Sequence, residues 1–219
     1  MTDDLRIYVA CLASYNNGRL YGKWIDAEQD ADAINEEIRL LLKGSPYPNV
    51  VRADYTCTDC GHTWTQDNSP YRTEPTKCAE CDSTEHTHGE PYPSAEEYAI
   101  HDHEGFDGLI GEYTGIDEVV QIAEALSEHG DKYAGLRKDG RDHDEAIKMI
   151  EDNYQGEYGS LEDWAEQFLD DTGAFSGLDK NSPLKNYFDY ERYAKDAEMG
   201  GDIMTVEGEG RKIHVFWNH

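Results

Sequence analysis

Positive charge is scarce in this sequence. Its 219 residues carry 19 Lys and Arg against 47 Asp and Glu, a formal net charge of -28. A nucleic-acid binder draws its affinity from neutralising phosphates and shows a basic face, so direct nucleic-acid binding is not expected. Anionic lipid surfaces repel such a chain for the same reason. Long apolar runs are also missing, and none approaches the roughly 20 residues that span a bilayer. No charged segment followed by an apolar one opens the chain, so no signal peptide is expected and the setting is read as the cytoplasm. Catalytic signatures are absent: there is no phosphate-binding Gly-rich loop, no Gly-x-Ser-x-Gly and no His-Glu-x-x-His. Carboxylate pairs abound, yet nothing singles out one pair with divergent acidities, and the chain is read as a non-enzyme.

Apolar residues nevertheless make up 37% of the chain, with 15 Tyr, 5 Phe and 4 Trp, enough to bury a core. Residues 5–12 and 20–25 read as two strands of a hairpin turning at Asn16-Asn17-Gly18. A helix follows, capped by Asp26 or Asp30, with Ile34, Ile38, Leu41 and Leu42 as its apolar stripe and Gly44-Ser45-Pro46 as its stop. Residues 97–106 read as a strand completing this first sheet. The C-terminal part reads as a helix over 184–199, then strands over 202–207 and 212–217.

Between these, residues 52–92 change texture. Cys57-x2-Cys60 and Cys78-x2-Cys81 are separated by seventeen residues, the spacing of a four-cysteine zinc site. Four thiolates suit a closed, tetrahedral, structural Zn2+ and leave no open catalytic position. Gly61 lets the first knuckle turn, and Tyr-Thr-Cys-Thr-Asp-Cys-Gly-His-Thr-Trp at 55–64 resembles a zinc ribbon. Disulfides are the competing reading, without a secretory segment to support it. Cys11 falls in the apolar first strand and reads as core, and His86 and His88 read as exposed loop residues. His101, Asp102, His103 and Glu104 invite a second metal site, but strand alternation puts the histidines on one face and the acids on the other.

The densest acidity lies in residues 112–171, with eighteen Asp and Glu against five Lys and Arg. The acids alternate with apolar residues at helical spacing. Over 116–129, Ile116, Val119, Val120, Ala123 and Leu126 read as the buried stripe, with Asp117, Gln121, Glu124 and Glu128 as the outer row. Asp142 with Glu145 reads as a capping box, and Ser160 starts a further helix with Leu161, Trp164, Ala165, Phe168 and Leu169 inward. Lysine partners at i+4 are mostly missing, which a merely solvated helix face would not require. Duplex DNA carries one charge per ~1.7 Å of axis, so 28 charges match roughly 48 Å, or about 14 base pairs. The partner-facing candidates are Glu112, Asp117, Glu118, Glu124, Glu128, Asp144, Glu145, Glu151, Asp152, Glu157, Glu162, Asp163, Glu166, Asp170 and Asp171.

Several segments together resemble the ArdA antirestriction proteins. They are Ile-Tyr-Val-Ala-Cys-Leu-Ala-Ser-Tyr-Asn-Asn-Gly at 7–18, Gly-Lys-Trp-Ile-Asp at 22–26 and Glu-Tyr-Ala-Ile-His-Asp-His-Glu-Gly-Phe at 97–106. Gly-Asp-Ile-Met-Thr-Val-Glu at 201–207 and the terminal His-Val-Phe-Trp-Asn-His complete the set. The cysteine insertion departs from the family pattern, so its role is not carried over. The resemblance implies an elongated α+β protein of three small domains: 1–108, an antiparallel sheet plus helix interrupted by the ribbon at 52–92; 109–152, an acidic helical bundle; and 153–219, a sheet plus helices. It further implies a homodimeric mimic of B-form DNA, encoded by a mobile genetic element, acting in the cytoplasm of a host bacterial cell. Its expected partner is the methyltransferase and specificity subunits of a type I restriction-modification enzyme, whose DNA-binding groove it fills. The alternative is a zinc-ribbon regulator that binds a basic protein such as a transcription factor or polymerase.

Overall fold

The computed structural model describes residues 4–68, 77–179 and 182–218. The chain is α+β, with helices set among three antiparallel sheets. It forms two compact units, Met1–Ala123 and Glu124–His219.

In the first unit β1 (Arg6–Cys11) is the central strand, flanked by β2 (Gly22–Asp26) and by β7 (Tyr98–Glu104), both antiparallel to it. Ile7, Val9, Ala10 and Cys11 are completely buried, as a central strand flanked on both sides requires. The expected hairpin is present in its pairing but not in its turn: α1 (Leu12–Asn16) fills the connection, and Gly18 takes the left-handed φ of 75° that follows it. The next helix, α2 (Ala31–Lys43), is capped by Asp30, whose carboxylate accepts the Ala33 amide at 2.8 Å. Its four expected apolar residues are buried, each contributing about 1.5–3 kcal/mol relative to exposure.

The cysteine-bearing insertion is a sheet of its own. β3 (Val50–Cys57) pairs with β4 (Thr63–Asp67) on one side. On the other it pairs with β5 (His86–His88) near the cysteines and β6 (Tyr92–Ser94) near its start. The sheet therefore reaches slightly beyond the expected 52–92. In β7 the register against β1 shifts between Tyr8 and Val9, so that Tyr8 faces Asp102 while Val9 faces Ile100. His101 is the extra residue of a β-bulge, and the alternation expected over 101–104 is broken there.

The division between the units falls within α3 (Ile116–His129). Its buried residues are Ile116, Val119, Ile122, Ala123 and Ala125. Val120 and Leu126, expected in the stripe, are only half-buried, so the apolar face is rotated from the one read in sequence.

In the second unit α4 (Asp131–Lys138) occupies a stretch to which the sequence reading gave no element. Gly135 explains its close approach to the next sheet: a Cβ there would lie 2.7 Å from Val206 Cβ. α5 (His143–Asp152) carries the expected capping box, with Asp142 accepting from Glu145 and Glu145 from Asp142. β8 (Tyr154–Tyr158) leads to α6 (Leu161–Asp171), whose cap Ser160 accepts the Asp163 amide at 3.1 Å. The helix expected over 184–199 is two elements. A 3-10 turn at Pro183–Tyr187 ends before Asp189, and Asp189 caps a new helix, α7 (Tyr190–Gly200). β9 (Ile203–Glu207) and β10 (Ile213–Trp217) follow, giving a sheet of order β8-β10-β9. Trp164, Ala165, Ala194, Ile203 and Val215 form its core, with Phe168, Tyr193 and Trp217 packed around them. His219, the last residue of the terminal motif, lies outside the described residues.

Candidate acidic interface and metal centre

Every one of the fifteen carboxylates singled out from the sequence is exposed. Packing fixes their positions. On α3 the buried stripe turns Asp117, Glu118, Glu124 and Glu128 outward. On α5 the capping box holds Glu145 beside Asp144, and Glu151 and Asp152 close the helix. On α6 Trp164, Ala165 and Leu169 face the core, which leaves Glu162, Asp163, Glu166, Asp170 and Asp171 in solvent. Glu157 projects from β8, and Glu112 lies in the loop before α3, its carbonyl accepting the Ile100 amide at 2.9 Å. Two of the fifteen have a lysine in ion-pair range: Glu157 with Lys212 at 3.1 Å and Asp170 with Lys185 at 2.9 Å. Among the described residues no lysine or arginine lies within 4.0 Å of the others.

Acidity extends beyond this segment. The first unit holds 24 acids against 8 bases, net -16, and the second 23 against 11, net -12. Among the described residues four acids of the first unit and five of the second lie in ion-pair range of a lysine or arginine. Arg39 forks onto Glu36 at 2.7 and 2.8 Å and lies 3.4 Å from Asp54. Arg6 meets Glu104 at 2.6 Å, and Lys23 meets Glu37. Asp32, Glu36 and Asp54 line a cleft of about 340 Å3 between α2 and the β3–β4 sheet. The sequence reading did not single out these three acids. The net charge of the first unit was the available signal.

The four knuckle cysteines converge. Their sulfurs all lie within 4.8 Å of one another, and the closest pairs are Cys57–Cys81 at 3.6 Å, Cys60–Cys78 at 3.6 Å and Cys60–Cys81 at 3.5 Å. Sulfurs set 2.3 Å from a central ion at tetrahedral angles stand about 3.8 Å apart, so the spacing fits a metal and not a disulfide. The two knuckles repeat one backbone pattern. The Cys57 amide donates to His62 O and the Gly61 amide to Cys57 O; the Cys78 amide donates to Ser83 O and the Asp82 amide to Cys78 O. Gly61 and Asp82 occupy the same place in each knuckle, with left-handed φ of 79° and 56°. The amides of Cys60 and Asp59 lower the Cys57 thiol to about 7. At Cys81 the Ser83 amide pulls the same way, but the crowded sulfurs and burial push it up to about 12. Thiols this close resist joint ionisation, and a divalent cation among them removes that resistance.

The histidines stand apart from this centre. His86 and His88 lie on β5 with their rings against Tyr55, and their Nδ1 atoms meet Thr84 O and Gly89 O. Cys11 is core, as expected, 3.3 Å from the Ser45 hydroxyl. The bulge brings His101, Asp102 and His103 to one cavity of about 410 Å3 beside Glu112. Their ligand atoms do not gather as the cysteine sulfurs do: among the described residues the four cysteines form the one cluster close enough for a metal. No helix among the described residues is long and apolar enough to cross a membrane.

A family model described as "Antirestriction protein (ArdA)" matches residues 7–210, nearly the whole length. No curated protein matches the sequence.

Proposed function

The chain belongs to the ArdA antirestriction family, and we propose that it inhibits restriction-modification enzymes by presenting its carboxylates as a substitute for the backbone of B-form DNA. The target is the DNA-binding groove of a type I enzyme, formed by its methyltransferase and specificity subunits. The protein acts in the cytoplasm of the host cell as a homodimer carried by a mobile element, and three parts, 1–108, 109–152 and 153–219, make up the chain. A structural Zn2+ held by Cys57, Cys60, Cys78 and Cys81 closes the inserted ribbon.

One observation carries this reading: fifteen exposed carboxylates, thirteen of them on packed helices, are fixed in place, and among the described residues two of them meet a lysine. Carboxylates one helical turn apart are separated by about 5–6 Å, the order of successive phosphates along a strand. Held by capping and core packing, they meet a basic groove without further ordering cost. Competition against a DNA duplex for a type I methyltransferase, run from low to high salt, tests it. Displacement that weakens steeply with salt is expected, because exposed charges are screened within a Debye length. Affinity that stays flat across the range refutes the mimicry.

A further inference from the structure

We propose that the cysteine metal centre acts beyond its own knuckles, adding to the buried stripe of α2 a second hold on this helix through its outer face, so that the acidic outer face depends on metal. The inference rests on the reading of the four cysteines as a metal site. The link is one strand. β3 ends in the ligand Cys57, carries Asp54 three residues earlier and pairs with β6 at its start. Asp54 is the hub. It accepts the Thr65 hydroxyl at 2.7 Å and the Tyr92 hydroxyl at 2.8 Å, and Arg39 of α2 stands 3.4 Å away. Arg39 also donates to Tyr92 Oη at 3.0 Å while its fork clamps Glu36. Lys43, at the end of α2, lies 3.8 Å over the Tyr92 ring, and the Ala95 amide donates to Leu42 O at 3.0 Å.

These contacts join α2 to β3 and β6 directly and to a third strand, β4, through Asp54. Two of them, β3 and β4, flank the first knuckle, and β3 is paired with β5 up to Cys57. Thr65 reaches Asp54 only while β4 keeps its register on β3, and that register is set at its closed end by the Cys57–Cys60 turn. Metal binding to four thiolates supplies folding free energy directly. Without the ion, four thiols in mutual contact are left at the end of a short sheet, and fraying from that end reaches Asp54 three residues in. Arg39 then loses Asp54 and Tyr92, the partners that tie the outward row of α2 to the sheet. Thermodynamic reciprocity requires the converse: loosening the hub weakens metal retention.

Hydrogen exchange on the full-length protein, with and without metal, reads this out. Metal content and the charge-transfer absorption of the Co2+-substituted protein are measured on the same samples. The expected result is one ion per chain, and on its removal exchange rising about tenfold or more at the α2 amides of Ile38–Leu42 as well as in β3 and β4, the scale on which losing a charge-assisted network shifts local opening. Asp54→Ala, which leaves all four cysteines in place, is expected to bind the ion more weakly yet be loaded at saturating metal, to speed α2 exchange already in that loaded state, and to remove most of its dependence on metal. Tyr92→Phe is the milder variant and moves the same amides less. Amides of β9 and β10 serve as the folded reference in each sample. Unchanged α2 protection after metal removal, with faster exchange confined to the knuckles, overturns the coupling while leaving the metal site standing. Absence of bound metal and of Co2+ absorption overturns both.

Discussion

The acids at the C-terminal ends of α5 and α6 separate a stability role from a binding role. Glu151 and Asp152 are the last residues of α5, Asp170 and Asp171 those of α6, and neither helix has a basic residue in its last turn. The C-terminal end of a helix carries about half a negative charge, so an acid there is unfavourable by roughly 0.3–1 kcal/mol, less after screening. Lys185 offsets this in part at Asp170. Replacing all four by Gln or Asn is therefore expected to stabilise the protein by about 1–2 kcal/mol. For a unit of about a hundred residues that is a rise in Tm of about 5–10 °C. Binding should move the other way. A unit charge about 6 Å from a basic group in water contributes ~0.7 kcal/mol, so four lost charges weaken the complex about a hundredfold at low salt and much less at high salt. Thermal melts and competition against a duplex for a type I methyltransferase give both quantities on one sample. A variant that is less stable, or that binds as well as the parent at low salt, refutes the reasoning.

Lys185→Gln and Lys212→Gln free Asp170 and Glu157; the pair should tighten binding about tenfold at low salt while costing little stability, since exposed ion pairs are worth ~0–1 kcal/mol, and unchanged affinity in the competition assay would count against charge mimicry. Cys57→Ser should release the metal and lower the melting point of the first unit, seen as zinc liberated to a colorimetric chelator and a separate early transition; full metal retention would count against the four-thiolate site. Gly135→Leu should lower Tm and leave metal content unchanged, because its Cβ meets Val206 at 2.7 Å and overpacking costs about 1–3 kcal/mol. Burial disfavours the Asp131 charge, but the Glu209 amide and His214 outweigh it and hold its carboxyl below the ordinary range. Its folded acidity lies below the unfolded value near 3.9, so its contribution is present above that pH and is lost as pH falls through the folded value. Asp131→Asn should flatten the acid limb of a Tm-against-pH curve for the second unit.

How much was legible follows from which force decides each feature. The strands at 6–11, 203–207 and 213–217 and the stripes of α2 and α6 were readable because core burial imposes its period on the chain. The knuckles were readable because thiolate geometry demands a fixed spacing. α4 was not: Gly135 argues against a helix on propensity, and its reason for being there is a contact with Val206, 71 positions away. The bulge at His101 is set by the register against β1 and has no local sign. The break before α7 did have one, Asp189 as a cap, but the aromatic run on either side of it read as a single helix. The face of α3 was misjudged because Val120 and Ile122, or Ala125 and Leu126, satisfy the same period from adjacent positions.

The exposure of the fifteen acids follows from the same logic and limits what periodicity can prove. A stripe that buries Trp164 and Leu169 must expose Glu162 and Glu166, whatever those acids are for. Burial therefore accounts for where the carboxylates point and says nothing about why they are carboxylates. Position along the helix does bear on that question. Asp117, Glu118, Asp144, Glu145, Glu162 and Asp163 sit in first turns, where the helix dipole favours them, and stability alone is reason enough for their presence. Glu151, Asp152, Asp170 and Asp171 sit where it opposes them. Half of the charge excess also lies outside residues 112–171, where Glu36, Glu37 and Asp54 are tied up with Lys23 and Arg39. Glu151, Asp152 and Asp171 stand at these ends with neither a favourable dipole nor, among the described residues, a lysine or arginine in ion-pair range, and the binding surface is best sought there first.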